Sequence, residues 1–170
     1  MSLPRKLKNF VLFNDGISYM GEVEEVTLPK LTRKTEDYRS GGMNGPIKLD
    51  FGMEGLKLEW TAAGFLRTLL NQWGTLTHDG VLLRFAGALQ SDDLPFATPL
   101  EVVVRGRHTE IDFGNAKAGD KTAIKVTSEL SYYKLTMDGM TVIEIDFVNM
   151  IEIVNGEDRL ASVRLALGIF

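Results

Sequence analysis

Asp138-Gly139 separates two long runs of alternating character, Thr122–Met137 and Met140–Val154. Asp-Gly between extended runs is the strongest short-range hairpin signal, because a type I′ turn needs φ > 0 at both central positions. A two-residue turn there fixes a register in which Met137 faces Met140. Counting outward, Ile124 meets Ile153, Val126 meets Ile151, Leu130 meets Phe147 and Tyr132 meets Ile145, all on one face. The other face pairs Lys125 with Glu152, Thr127 with Met150, Glu129 with Val148, Ser131 with Asp146 and Tyr133 with Glu144. One face is apolar and the other largely polar, and a one-residue slip would expose the apolar set.

The arms are long for a chain of 170 residues. Each has about fifteen residues, which at roughly 3.3 Å per residue spans about 50 Å. A domain of this size has a radius of gyration of roughly 15–16 Å and is only about 40 Å across. Such arms must bend, curl around a barrel, or run along something larger than one chain.

Seventeen glycines and several Asx-Gly pairs suit an all-β chain with many turns. Asn14-Asp15-Gly16 predicts a first hairpin between Asn9–Phe13 and Ile17–Met20. Glu22–Leu28 reads as a strand stopped by Pro29, which removes a donor. Ile47–Phe51 and Leu56–Ala62 read as a strand pair around Met53-Glu54-Gly55, and Val81–Leu89 and Leu100–Phe113 as further strands. The spacing of Phe65, Leu66, Leu69, Leu70 and Trp73, with Gly74 at the C′ position, predicts a helix packed on the sheet. Asn155-Gly156 breaks the last strand. Asp158 then caps a short helix in which Leu160, Val163 and Leu167 share a face, closed by Gly168.

Lys30–Pro46 has four basic residues, two acidic ones, three glycines and almost no apolar periodicity. A connection this long inside a compact domain is uncommon. Two readings stand: a solvated loop, or an arm that orders against another chain through Leu31, Tyr38 and Met43. The single domain therefore spans 1–170, with an extended assembly arm at about 30–46.

The composition narrows the chemistry. The formal charge is −4, from 19 basic and 23 acidic residues, which gives no sign of general nucleic-acid binding. No cysteine is present, so disulfides and thiolate metal sites are excluded. No apolar run approaches the length of a membrane-spanning helix, so no membrane anchor is expected. The basic start is not followed by a continuous apolar stretch, which argues against a cleaved signal peptide. His78 sits at a turn and His108 at the polar end of a strand, neither with a neighbour at metal spacing. Gly41, Gly42 and Gly45 lead into no Lys-Ser/Thr helix, so they form no P-loop. Glu144, Asp146 and Glu152 share a strand face in this register. Two of them would suit a glycosidase-like pair in outline, but a solvated face explains all three without further assumption. No catalytic, cofactor-binding or metal-ligating residue is identified, and the chain is expected not to be an enzyme.

Three stretches together carry a resemblance. They are Leu28–Lys34 with Tyr38–Pro46, then Thr109–Gly114, then Tyr132–Gly139 with Glu144–Asp146 and Ile153–Asp158. This combination resembles the major tail tube protein family of contractile-tailed bacteriophages and contractile bacteriocins, in order along nearly the whole chain. The resemblance implies a mainly β fold, a β-sandwich or barrel with one packed helix and a long hairpin. It implies a structural protein whose hexameric rings stack into the hollow inner tube of a tail, conducting DNA or puncturing the target envelope. The implied partners are further copies of the chain, the tail sheath protein, baseplate and terminator proteins, and DNA passing without sequence-specific binding. The implied location is a virion tail, or a phage-like particle, assembled in the bacterial cytoplasm.

On that reading Leu31, Thr32, Arg33, Lys34, Glu36, Tyr38, Arg39, Gly41, Gly42 and Met43 form the arm that touches a neighbouring subunit. Lys125, Thr127, Glu129, Ser131, Glu144, Asp146 and Glu152 face the lumen, an acidic wall with Lys125 its one strong base. Competing readings are a secreted type VI-like ring carrying effectors and a monomeric ligand-binding β-barrel walled by Trp60, Trp73 and Tyr132.

Overall fold

A computed structural model describes residues 1–169. The strands are β1 (Lys6–Asn14), β2 (Ile17–Ser18), β3 (Val23–Thr27), β4 (Arg33–Tyr38), β5 (Ile47–Met53), β6 (Leu56–Ala62), β7 (Val81–Gln90), β8 (Thr98–Asp112), β9 (Ile124–Met137), β10 (Met140–Asp146), β11 (Ile151–Val154) and β12 (Glu157–Asp158). Two short helices, α1 (Arg67–Leu70) and α2 (Ala161–Ala166), complete the described residues. The mainly β fold expected from the turn chemistry is present. Three two-residue turns have left-handed residues at both positions: Asp15 and Gly16, Asp138 and Gly139, Asn155 and Gly156.

The main sheet runs β2-β1-β7-β8-β9, and β9 then has two successive neighbours on its far edge. Its first half, Ile124–Leu130, pairs with β6, whose other edge takes β3. Its second half pairs with β10, which leads to β11 and β12. Leu12, Leu58, Trp60, Leu83, Val104, Val126 and Ile145 belong to one buried core contributed by every long strand. The sheet curls enough for Tyr19, beyond β2, to bring its ring within 5.7 Å of Trp60 on β6.

The long hairpin departs from expectation in its second arm. Met137 does face Met140, and Thr136 faces Thr141. Val142 is then an extra residue, so Ile143 faces Leu135 and Ile145 faces Tyr133. The arm stops at Asp146, whose carboxylate accepts the backbone N–H groups of Val148 (3.1 Å) and Asn149 (3.2 Å) and the Asn149 side-chain amide (2.7 Å). These bonds turn the chain so that β11 pairs back on β10. The expected pairs of Ile124 with Ile153, Val126 with Ile151, and Lys125 with Glu152 therefore do not form. Only β9 itself is long, and β8 matches it at 15 residues.

A second irregularity lies between β8 and β9. Gly106 faces Leu130 and Arg105 faces Tyr132, so Ser131 is bulged out of the ladder. A bulge changes which side chains point inward. Tyr133 is buried and Tyr132 is half-buried on the outer face, the reverse of the predicted assignment. Gly106 makes the close approach possible, because a Cβ there would lie 2.0 Å from the backbone oxygen of Glu129.

Two other expectations are corrected. Ile47–Phe51 pairs with β4 and not with Leu56–Ala62; the ladder passes through an irregularity at Gly52 (φ 102°) and ends at Arg33 opposite Met53, just before the chain enters β6. The helix predicted for Phe65–Trp73 is regular only over Arg67–Leu70. It continues as tight turns in which Gln72 and Trp73 donate three residues back, to Leu69 and Leu70. Leu69 is fully buried, but Phe65 and Trp73 are exposed.

Helix α1 is tied into the core by a polar network. Gln72 and Asn14 exchange amide hydrogen bonds of 2.7 and 2.8 Å. Asn14 also donates to the Tyr19 hydroxyl (3.0 Å), which lies 2.5 Å from Thr68 Oγ1. His108 Nε2 meets Gln72 Oε1 at 2.9 Å and its Nδ1 meets the Ser128 hydroxyl at 2.8 Å. An amide oxygen only accepts, so Nε2 carries the proton and Nδ1 accepts from Ser128. Buried polar groups that are mutually satisfied specify one arrangement of the elements they join.

Two outcomes follow from this packing. Gly106→Ala must push β9 from β8, and a loss of about 1–3 kcal/mol is expected in denaturant unfolding of the isolated subunit. His108, 5% exposed, has its pKa lowered by desolvation from 6.5 to about 4. The unfolded chain takes up this proton below about pH 6.5, the folded chain only near pH 4. The contribution is thus complete above pH 6.5 and lost between 6.5 and 4, at most about 3 kcal/mol. Comparing unfolding at pH 7 and pH 4.5 should show that loss shrinking in His108→Gln.

Candidate assembly surfaces

Lys30–Pro46 is not a featureless connection. Six of its residues form β4, and with β5 they make a separate two-stranded ribbon. Tyr38 faces Ile47, Glu36 faces Leu49, and Asp37 faces Lys48. Leu31 and Thr32 lead into the ribbon, and Arg33, Lys34, Glu36 and Tyr38 lie on it. Arg39, Gly41, Gly42 and Met43 form its tip, where Gly42 has φ 89° and the Met43 carbonyl accepts from Arg39 Nε (3.2 Å). Every residue of Arg33–Tyr38 is exposed, as are Ile47–Phe51. The ribbon therefore projects from the core. Its signal lies in the alternation of Ile47, Leu49 and Phe51, which sequence proximity alone assigns to the wrong partner strand.

The ribbon is fixed at its base. Arg33 binds Asp50 on its own hairpin through Nε (3.1 and 2.9 Å) and Nη2 (2.8 Å), and reaches Glu152 on β11 with Nη1. Its hydrogen bonds hold the Asp50 carboxyl below the usual carboxylate range. Glu54 N–H donates to the Thr32 carbonyl at 2.8 Å. Glu152 therefore serves the base of the arm. It lies opposite Ile145 in the β10–β11 ladder and so on the inner side, away from the other acids predicted to share its face.

The remaining candidates of the polar wall are placed as follows. Lys125, Thr127 and Glu129 share the outer face of β9. Glu144 and Asp146, opposite Lys134 and Tyr132, share the same outer face beyond the bulge. Ser131 occupies the bulge, where its hydroxyl lies 3.0 Å from His78 Nδ1. Asp146 is committed to its turn. Neighbouring strands alter the charge balance expected for this face. Beside Glu129, Glu144 and Asp146 stand Glu59, Glu101, Glu110 and Asp112, giving seven acids; Lys57, Arg105, Arg107 and Lys134 join Lys125, giving five bases. The face keeps a small acidic excess, and Lys125 is not its sole base.

The alternative pocket of Trp60, Trp73 and Tyr132 does not form: Trp60 is in the core, Trp73 is exposed and Tyr132 lies on the outer face under Arg105, 5.9 Å from its ring centroid. Of Glu144, Asp146 and Glu152, the acids that suited a glycosidase-like pair in outline, Glu152 lies on the other face and Asp146 is held by its turn, which leaves Glu144 without a free partner among them. At the far end, Asp158 accepts from Leu160 N–H (3.1 Å) and pairs with Arg164, which also reaches the Met150 carbonyl at 2.7 Å. This attaches α2, but Asp158 is not its cap as expected: the N-cap is Leu160, which makes no side-chain cap bond, and Asp158 lies two residues before it. Among the described residues no group of three or more histidines and carboxylates is placed to hold a metal ion. What the geometry offers is surface: a projecting ribbon, a mixed-charge sheet face and open apolar patches.

Comparison with known proteins agrees with that description. The tail tube protein of Escherichia phage P2 is 46% identical over 172 residues, covering 99% of this chain and all of that one. The major tail tube protein of Serratia phage KSP20 is 40% identical over 179 residues, covering 99% of each. The fold matches a chain of the PVC sheath–tube complex, an extracellular contractile injection system in its extended state, with TM-score 0.59 and 13% identity over 78% of this chain and 91% of that one. It also matches the tube-terminating cap of the anti-feeding prophage, with TM-score 0.60 and 10% identity over 80% and 93%. The family model for phage tail tube protein FII matches residues 4–168, and the chain belongs to that family.

Proposed function

We propose that this chain self-assembles into hexameric rings that stack as the hollow inner tube of a contractile phage or phage-like tail. The reading is carried by the end-to-end match to two tail tube proteins. Such a protein works by shape and stiffness, and needs no catalytic group. Identical copies must close laterally and stack axially, and unpaired strand edges are the natural means of closing a ring. The ribbon at 30–46 and its partner strand are the assembly arm. A sheath around the tube and a terminator at its end are the partners in this reading, supported by the fold shared with chains of a sheath–tube complex and a terminating cap. A baseplate stands at the other end.

Lys125, Thr127, Glu129, Glu144 and Asp146 line the lumen in this reading, and Glu152 does not. The small acidic excess suits a conduit. A continuous basic track would hold phosphates through counterion release, and interspersed acids deny a polyanion that track. The tube delivers DNA, or pierces the target envelope, when the sheath contracts.

Purified protein is expected to sediment as rings and, when concentrated, to show tubes in negative stain. A species of 18.9 kDa alone across a wide concentration range would overturn the reading. Within it, Glu129→Lys and Glu144→Lys should change subunit stability by under about 0.5 kcal/mol while slowing DNA delivery. Asp146→Lys should cost roughly 1 kcal/mol or more, because the turn loses its acceptor. Denaturant unfolding separates the two classes.

A further inference from the structure

Asparagine is followed by glycine twice in this chain, at Asn44-Gly45 and Asn155-Gly156. Asparagine is among the thermolabile residues. A glycine after it removes the side chain that would crowd a ring closing from the asparagine onto the next peptide nitrogen. Both asparagines are exposed, but their backbones are held differently.

Asn155-Gly156 is the two-residue turn between β11 and β12, with φ of 53° and 77°. Val154 faces Glu157 and Ile153 faces Asp158 across it. Asn155 N–H donates to the Val142 carbonyl at 2.9 Å, and Arg159 N–H to the Glu152 carbonyl at 2.7 Å. The turn is thereby fixed on both sides. Asn44-Gly45 lies at the tip of the β4–β5 ribbon without such a hold. Its nearest fixed points are Met43, whose N–H donates to the Ser40 carbonyl at 3.2 Å, and Ile47, opposite Tyr38. The other bonds of the tip run from Arg39 Nε to the Met43 carbonyl and from Ser40 N–H to Met43 Sδ, and neither engages Asn44. The space beside Gly45 is open, since a Cβ there would meet nothing within 4 Å.

We propose that Asn44 is a site of spontaneous deamidation in the unassembled chain, and that its conversion disables the arm. The Gly45 amide gives its proton to hydroxide, and its nitrogen attacks Asn44 Cγ. The new N–Cγ bond closes a five-membered succinimide. The Cγ–Nδ2 bond breaks, and ammonia leaves with a proton from water, which restores the hydroxide. Water then opens the imide. Cleavage of N–Cγ gives aspartate; cleavage at the main-chain carbonyl gives isoaspartate. Either product carries a carboxylate where a neutral amide stood. In isoaspartate the main chain runs through Cβ and Cγ, which inserts one methylene into the tip. The ladder from Tyr38 and Ile47 inward is untouched, so the change falls on the surface that the tip presents. That loss of assembly rests on the tube reading above.

The test ages dilute subunit at mildly alkaline pH, digests it with trypsin and reads the peptides by mass spectrometry. Cleavage after Arg39 and Lys48 isolates Asn44 from every other asparagine. Asn44 is expected to convert about tenfold faster than Asn155, which must first leave its turn. When the aged sample is concentrated, sedimented tubes are expected to hold about tenfold less converted chain than the supernatant. Asn44→Gln protein, whose closure needs a six-membered ring, should assemble after ageing as it does fresh. Equal conversion at Asn44 and Asn155 overturns the site. An equal converted fraction in tubes and supernatant, or an Asn44→Gln protein that loses assembly on ageing as fully as the unaltered chain, overturns the effect on the arm and leaves the tube reading standing. Failure of fresh unaltered chain to assemble at any concentration removes the tube reading and that effect together, while the conversion in dilute subunit is judged on its own rates.

Discussion

A strand inside a sheet must satisfy its backbone groups on both edges, because an unpaired buried amide or carbonyl costs as much as a lost hydrogen bond. β9 does this along its fourteen residues with three partners. β8 runs along one edge throughout, while the other edge passes from β6 to β10 near Leu130. That handover is where the architecture forks. The β6–β3 branch carries the projecting ribbon, and the β10–β11–β12 branch carries α2. The Ser131 bulge lies beside the handover, and Gly106 opposite it admits the β9 backbone where any side chain would collide. Without that accommodation Tyr133 and Ile145 could not point inward together with Val126 and Leu130.

The polar network of Asn14, Tyr19, Gln72, His108 and Ser128 has the complementary task. It joins β1, α1, β8 and β9 through groups that are satisfied only in one arrangement. A well-packed apolar core tolerates several near-equivalent packings, whereas a half-satisfied buried network costs more than an apolar substitute. A subunit that must repeat identically many times benefits from that restriction. The same network leaves the outer face of β6, β8 and β9 free of structural obligations, so its charges are available to whatever lies beyond.

Arg33 links this frame to the arm. Its guanidinium engages Asp50 within the ribbon and Glu152 on β11, so the ribbon leaves the core at a defined angle and not as a loose loop. Exposed ion pairs usually contribute little to stability. Here the consequence is direction: the fork held together by β9 also sets where the ribbon points.

Turns, fold class and family are all readable from the chain of residues alone. Asp15-Gly16, Asp138-Gly139 and Asn155-Gly156 were legible because a positive φ is a local requirement that few residue types meet. The unusual length of Lys30–Pro46 and its likeness to tail tube proteins were legible for a similar reason, being properties of contiguous residues. That this stretch projects as a paired ribbon was not legible, because its partner strand lies beyond it in the chain. Partnership was decided only by tertiary structure. Val142 and Ser131 are single inserted residues with no signature of their own, yet each moves every later side chain to the opposite face. Asp146 ends a strand through bonds to Val148 and Asn149 that resemble an ordinary polar residue in a strand until the chain turns. So Glu152, counted from the sequence among the outward acids, lies inward beside Arg33. Alternation along a strand is local, but which strand lies beside it, and in what register, is chosen by how the whole sheet buries its core.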